Sequence, residues 1–203
     1  MSTRAAAVGR GRRLEYLTIG WNSLEGLIAI AAGAAAGSIS LVGFGADSAI
    51  EVTSGLAVLW RLSRDHDAGS RERRERRAVA IVSAAFVALA AYVLIEAVRD
   101  LVTRAAPEAS PVGIGLAALS LVVMPLLARA KRRVATLVDS RALRADARQT
   151  DFCAYLSAIM LAGLVLNATV GLWWADPLAA LVMVPIIANE GITGWRGDRC
   201  DCH

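Results

Sequence analysis

The stretch Gly43 to Leu62, GFGADSAIEVTSGLAVLWRL, decides how the chain is read. It has the length and apolar character of a helix that crosses a bilayer, which takes about 20 residues. Yet two carboxylates, Asp47 and Glu51, lie well inside it. An acid at the centre of a membrane helix costs roughly 2.5–3.5 kcal/mol on insertion scales, and chains keep one mainly where it faces a cavity, a partner or an ion. The spacing is i, i+4, so both groups leave one helix face about one turn apart. Two stacked oxygen donors supply half of a small cation site; the alternative is a pair of acids satisfied by neighbouring helices.

Outward from this stretch, the 203 residues are 56% hydrophobic, more than the roughly 45–50% of an ordinary soluble domain. Aromatic residues make up only 5%, and the abundance of Ala, Gly, Leu and Val suits close helix packing in lipid. The chain reads as an all-α polytopic membrane protein. Its net charge of +4 does not point to nucleic acid, because the basic residues lie in the gaps between apolar runs and leave no folded basic domain. Residues 1–13 are polar and basic, and no small-residue cleavage site follows the first apolar run, so that run is expected to be retained. The cysteines make no disulfide framework: Cys153 is in an apolar run, and Cys200 and Cys202 are one residue apart.

Six transmembrane helices are expected, at about 15–36, 41–62, 78–102, 112–130, 148–170 and 173–194. Of the 22 Lys and Arg residues, all but Arg99 and Arg104 fall on one side of this arrangement. The positive-inside rule then places both termini in the cytoplasm. The expected organisation is a basic N-terminus over 1–14, a six-helix domain over 15–195 and a short Cys/His tail over 196–203, with no soluble C-terminal domain. Arg71 to Arg77, RERRERR, reads as a solvated helical extension of the third span. A bacterial-type plasma membrane is the expected location.

A second polar concentration opens the fifth span, LRADARQTDFCAYLSA, Leu143 to Ala158. Gln149 and Cys153 are again i, i+4, with Asp146 three residues earlier on the same face, while Asp151 points about 200° away from Gln149. The second and fifth spans run antiparallel. Glu51 is ten residues from Arg61 and Cys153 nine from Arg144, so the two pairs share a depth. Asp47 is then expected to face Cys153, and Glu51 to face Gln149. Two carboxylates, an amide oxygen and a sulfur suit a divalent transition metal such as zinc better than an alkali ion. Taken singly, Cys153 is a small buried hydrophobe and Gln149 an interhelical hydrogen-bonder; the joint pattern carries the metal reading.

In these motifs the chain resembles the cation diffusion facilitator family over roughly residues 14–195. That family has six helices, an acid-xxx-acid pair on the second and ADxxHxxxD on the fifth. Ile95-Glu96-Ala97-Val98-Arg99 and Trp174-Ala175-Asp176-Pro177 are similar to it as well. Aligning Ala145-Asp146 with the family's AD puts Gln149 at its His and Cys153 at its Asp. The acidic pair is Asp then Glu, and no counterpart of the large cytoplasmic metal-sensing domain of many members is expected. The resemblance implies efflux of a divalent metal, Zn²⁺ foremost or Cd²⁺ or Co²⁺, driven by proton entry through a homodimer. Metal selectivity does not carry over. With the family's His absent, proton coupling falls to Asp47, Glu51 or the Cys153 thiol.

Asn22 and Glu25, one turn apart on the first span, either line an inner access path or satisfy a neighbouring helix. Asp65-His66-Asp67 reads as a solvated loop, and Cys200-Asp201-Cys202-His203 as a weak metal-capture tail. No nucleophile, base and orienting group occur together, so an enzyme is not expected. The expected partners are the metal as transported substrate, protons and lipid, with no bound cofactor. Two alternatives stay open: a non-transporting metal-sensing or scaffold membrane subunit, and a metal importer on the same fold.

Overall fold

The structure, a computed structural model, describes residues 3–63, 68–105, 107–138 and 140–196. Its elements are α1 (Thr3–Ala36), α2 (Ile39–Ser63), α3 (Ala68–Thr103), α4 (Pro111–Val138), α5 (Arg141–Val170) and α6 (Ala175–Arg196). Among the described residues there is no strand. Helix ends follow local chemistry. Ser38 and Ser140 cap α2 and α5, their hydroxyls accepting from the N–H groups of Leu41 and Leu143, each at 3.2 Å. Gly37 and Gly171 end α1 and α5 with φ of 67° and 68°, a left-handed turn that glycine makes without strain.

Several helices outrun the expected spans at the arginine-rich end, hereafter the basic end. α4 continues past residue 130 to Val138 because its charges keep a helical period. Lys131, Val134, Ala135 and Val138 face inward, while Arg129, Arg132 and Arg133 face out. α3 likewise begins at Ala68, so the RERRERR stretch is helical.

α1, α2, α5 and α4 form a closed ring, each packed on the next, and α3 pairs with α6 along its flank against α2 and α5. The closest approach joins α1 to α2. A Cβ on Gly45 would lie 2.9 Å from the Ile30 nitrogen and 3.0 Å from the Gly26 oxygen, so only glycine fits there.

The distribution of polarity is inverted relative to a soluble bundle. Leu17, Leu24 and Leu27 of α1 and Leu119, Val122 and Leu126 of α4 face outward. Glu15, Thr18, Asn22 and Glu25 form the buried stripe of α1, at i, i+3/i+4 spacing. Five helices, α1, α2, α4, α5 and α6, are long and apolar enough to cross a membrane. An apolar exterior around a polar interior, on helices of that length, is the pattern of an integral membrane protein.

Candidate metal centre

α2 and α5 pack against each other along the stretch that carries the polar pairs. Glu51 and Thr150 meet through a 2.6 Å hydrogen bond that the threonine hydroxyl donates, and one turn toward the basic end Ser54 donates to Asp146 at 3.0 Å. On the other side of Thr150, Cys153 faces Glu51 first, with Glu25 and Asp47 acting on it more weakly. The thiol lies within electrostatic reach of Asp47, Glu51 and Glu25, and all four side chains are buried.

The expected partner of Glu51 was Gln149, and here the structure corrects the detail. Thr150, one residue on, takes Oε1, while Gln149 is buried with an Nε2 that no protein group accepts from. The other Glu51 oxygen, Oε2, is equally without a hydrogen-bond partner. Asp146, expected as an accessory donor, is instead held in a buried ion pair by Lys131 Nζ at 2.5 Å. Asp151 turns away, as expected, and pairs with Arg132 at the surface.

α1 completes the wall. Glu25 accepts from Trp21 Nε1 and from Ser48 Oγ, both at 3.2 Å, so it is satisfied by its neighbours and also lines the acidic cluster. Ser48 reaches Glu25 and Gly55 abuts Ile19, which sets Asn22 between them at the depth of Glu51. Both polar atoms of the Asn22 amide are buried without a partner. Unpaired buried polar atoms are costly, about 1–3 kcal/mol each, and here Asn22, Glu51 and Gln149 hold them at one level of the bundle. Among the described residues no three His, Cys, Asp or Glu side chains stand close enough to hold one ion together. His66, Cys200, Cys202 and His203 lie outside the described residues.

Sequence reasoning missed three participants. Thr150 was masked by its more conspicuous neighbours. Glu190 of α6 is within electrostatic reach of Asp47, and its place as an acid inside the expected last span, 173–194, was the available signal. Lys131 was counted among the loop cations, yet it is fully buried.

The polar column is one-sided. From Asp47 toward the far end the ring is filled mainly by Ala29, Leu41, Phe44, Ala117, Met160 and Leu164; its buried polar groups there are the serines Ser120 and Ser157 and, at the very end, the Asp176–Ser38–Ser40 cluster. Toward the basic end the buried groups stay polar as far as Glu15, Lys131 and Asp146.

A helical membrane protein with carboxylates and a thiol gathered between two facing helices belongs to the class that accommodates ions in its transmembrane interior. The cation efflux transmembrane domain matches residues 17–193, and the chain belongs to that family. Transmembrane protein 163 of Xenopus laevis is 28% identical over 190 residues, which cover 89% of this chain and 66% of that relative. The chain therefore spans just under two thirds of the length of that curated relative.

Proposed function

We propose that this chain carries a divalent transition metal, Zn²⁺ before Cd²⁺ or Co²⁺, outward from the cytoplasm in exchange for protons. The observation that supports this reading is the burial of Asp47, Glu51 and Cys153 within electrostatic reach of one another, beside unpaired atoms of Glu51, Gln149 and Asn22. Those donors, two carboxylates, an amide and a sulfur, match the ligand preferences of zinc and its neighbours. Protons compete with the metal for the carboxylates and the thiol, which supplies a route to coupling.

In this reading α3 is a sixth membrane crossing, and the basic end, with both termini, faces the cytoplasm of a bacterial-type plasma membrane. The polar column then opens the centre toward cytoplasmic metal, and the apolar plug around Phe44 bars the outward path. Repacking of the ring draws Asp47, Glu51, Gln149 and Cys153 onto the ion and opens the other side. The working unit is a homodimer by resemblance to the family, and the chemistry is transport rather than catalysis of a bond change.

The test is metal uptake into sealed vesicles holding purified protein, under an imposed pH gradient, with Zn²⁺, Cd²⁺, Co²⁺ and Mn²⁺ compared. Asp47→Ala is expected to reduce uptake to background, and Cys153→Ala to shift preference away from Zn²⁺ and Cd²⁺. Absence of uptake of every metal, by protein shown to be folded, overturns the proposal. That result favours a non-transporting metal-sensing or scaffold subunit, a reading supported by the lack of three converged donors among the described residues.

A further inference from the structure

Lys131 is the buried charge that the transport scheme leaves unused. It is the one basic side chain in the buried interior among the described residues. Its ammonium meets Asp146 Oδ2 of α5 at 2.5 Å and Glu15 Oε2 of α1 at 3.4 Å, and donates to Thr150 Oγ1 at 3.3 Å. Thr150 in turn donates to Glu51 Oε1 at 2.6 Å. One cation on α4 thus serves Asp146 and Glu15 directly and Glu51 through a single hydroxyl, carboxylates from three other helices. The shared Thr150 oxygen puts the ammonium within about 6 Å of the Glu51 carboxylate, a range at which charges in a protein interior act strongly on each other.

The geometry points to Lys131 as a tethered cation that competes with the transported metal for Glu51 and thereby sets both its affinity and its release. The inference rests on Glu51 being a ligand, as proposed above. A metal on the unpartnered Glu51 Oε2 and the Lys131 ammonium carry like charge, so loading turns the lysine away from Thr150 and toward Glu15 and Asp146. Glu15 is placed to hold it: its Oε2 already stands 3.4 Å from the ammonium, and its Oε1 is buried without a hydrogen-bond partner. Release lets the ammonium swing back to the Thr150–Glu51 link, where it opposes rebinding. Lys131 is a positioning residue in this scheme, acting through Glu51 and touching no substrate itself.

The competition predicts changes of opposite sign. In the vesicle assay with Zn²⁺, Lys131→Met removes the competitor, so KM falls roughly tenfold while the maximal rate also falls, because release slows. Lys131→Arg keeps the charge and stays within about twofold of the unmodified protein in KM. Glu15→Gln withdraws the charge of the alternative partner while keeping its size, weakens its 3.4 Å ion pair with Lys131, leaves Lys131 on the Glu51 link and raises KM. A merely structural lysine lowers folded yield without moving KM. Unchanged KM in folded Lys131→Met and Glu15→Gln overturns the inference while leaving transport intact. Where Lys131→Met does not fold, Glu15→Gln decides alone: a raised KM supports the competition, and an unchanged or lowered one overturns it. Absence of metal uptake by the unmodified protein removes the transport reading and this inference with it.

Discussion

Asp176 ties the start of α6 to the start of α2 at the far end of the bundle, and its removal has a calculable cost. Its Oδ1 accepts from Ser38 Oγ at 2.6 Å and from Ser40 Oγ at 2.5 Å, and Oδ2 accepts weakly from the Ser40 N–H at 3.4 Å. All three residues are buried, so Asp176→Ala strands two hydroxyls that water cannot reach. A buried donor left without its partner costs about 1–3 kcal/mol. The hydroxyls are 3.4 Å apart and can turn partly onto each other, which holds the total to about 2–4 kcal/mol. For a chain of this size each kcal/mol lowers Tm by roughly 2–4 °C, giving a drop of roughly 4–16 °C. Asp176→Asn keeps a side-chain oxygen for the two serines, and its drop stays below roughly 6 °C. Thermal unfolding in detergent, followed by the fluorescence of the neighbouring Trp173 and Trp174, measures both. An alanine variant within about 2 °C of the unmodified protein, or an asparagine variant as damaged as alanine, would refute the reasoning.

Two further outcomes follow from packing and from the charge distribution. Gly45→Ala forces a methyl against the backbone of Ile30 and Gly26 and is expected to destabilise by about 1–3 kcal/mol. Gly20→Ala meets nothing within 4 Å and should stay within about 0.5 kcal/mol in the same unfolding assay. Ala109, exposed between α3 and α4 at the far end, tests orientation. With the three native cysteines replaced, Ala109→Cys should react with a membrane-impermeant maleimide on intact cells; labelling only after lysis reverses the assignment of the termini.

The parts of this structure that were legible in the sequence are those with a local cause. Asp47 and Glu51 declare themselves because acids within a 20-residue apolar run have no cheap alternative, and their i, i+4 spacing already puts them on one face. Their pairing with the Gln149–Cys153 segment could be read as well, because the positions of the flanking arginines fix the depth of each helix. The cation efflux family followed from the order of those motifs. Where α4 ends was not legible from hydropathy, since a helix that leaves lipid keeps its period while its composition turns charged.

What the tertiary structure alone decided is which neighbour each polar group meets. The sequence by itself determined an all-helical membrane protein and its acidic centre, properties that depend on composition and on spacing within single helices. The burial of Lys131 between Glu15 and Asp146, the choice of Thr150 over Gln149 as the partner of Glu51, and the reach of Asp176 to Ser38 and Ser40 depend instead on the rotation and register of helices distant in sequence. Adjacent residues on a helix point about 100° apart, so a shift of one residue exchanges one partner for another. That shift is set by side-chain packing across the whole ring, beginning where Gly45 lets α1 and α2 touch.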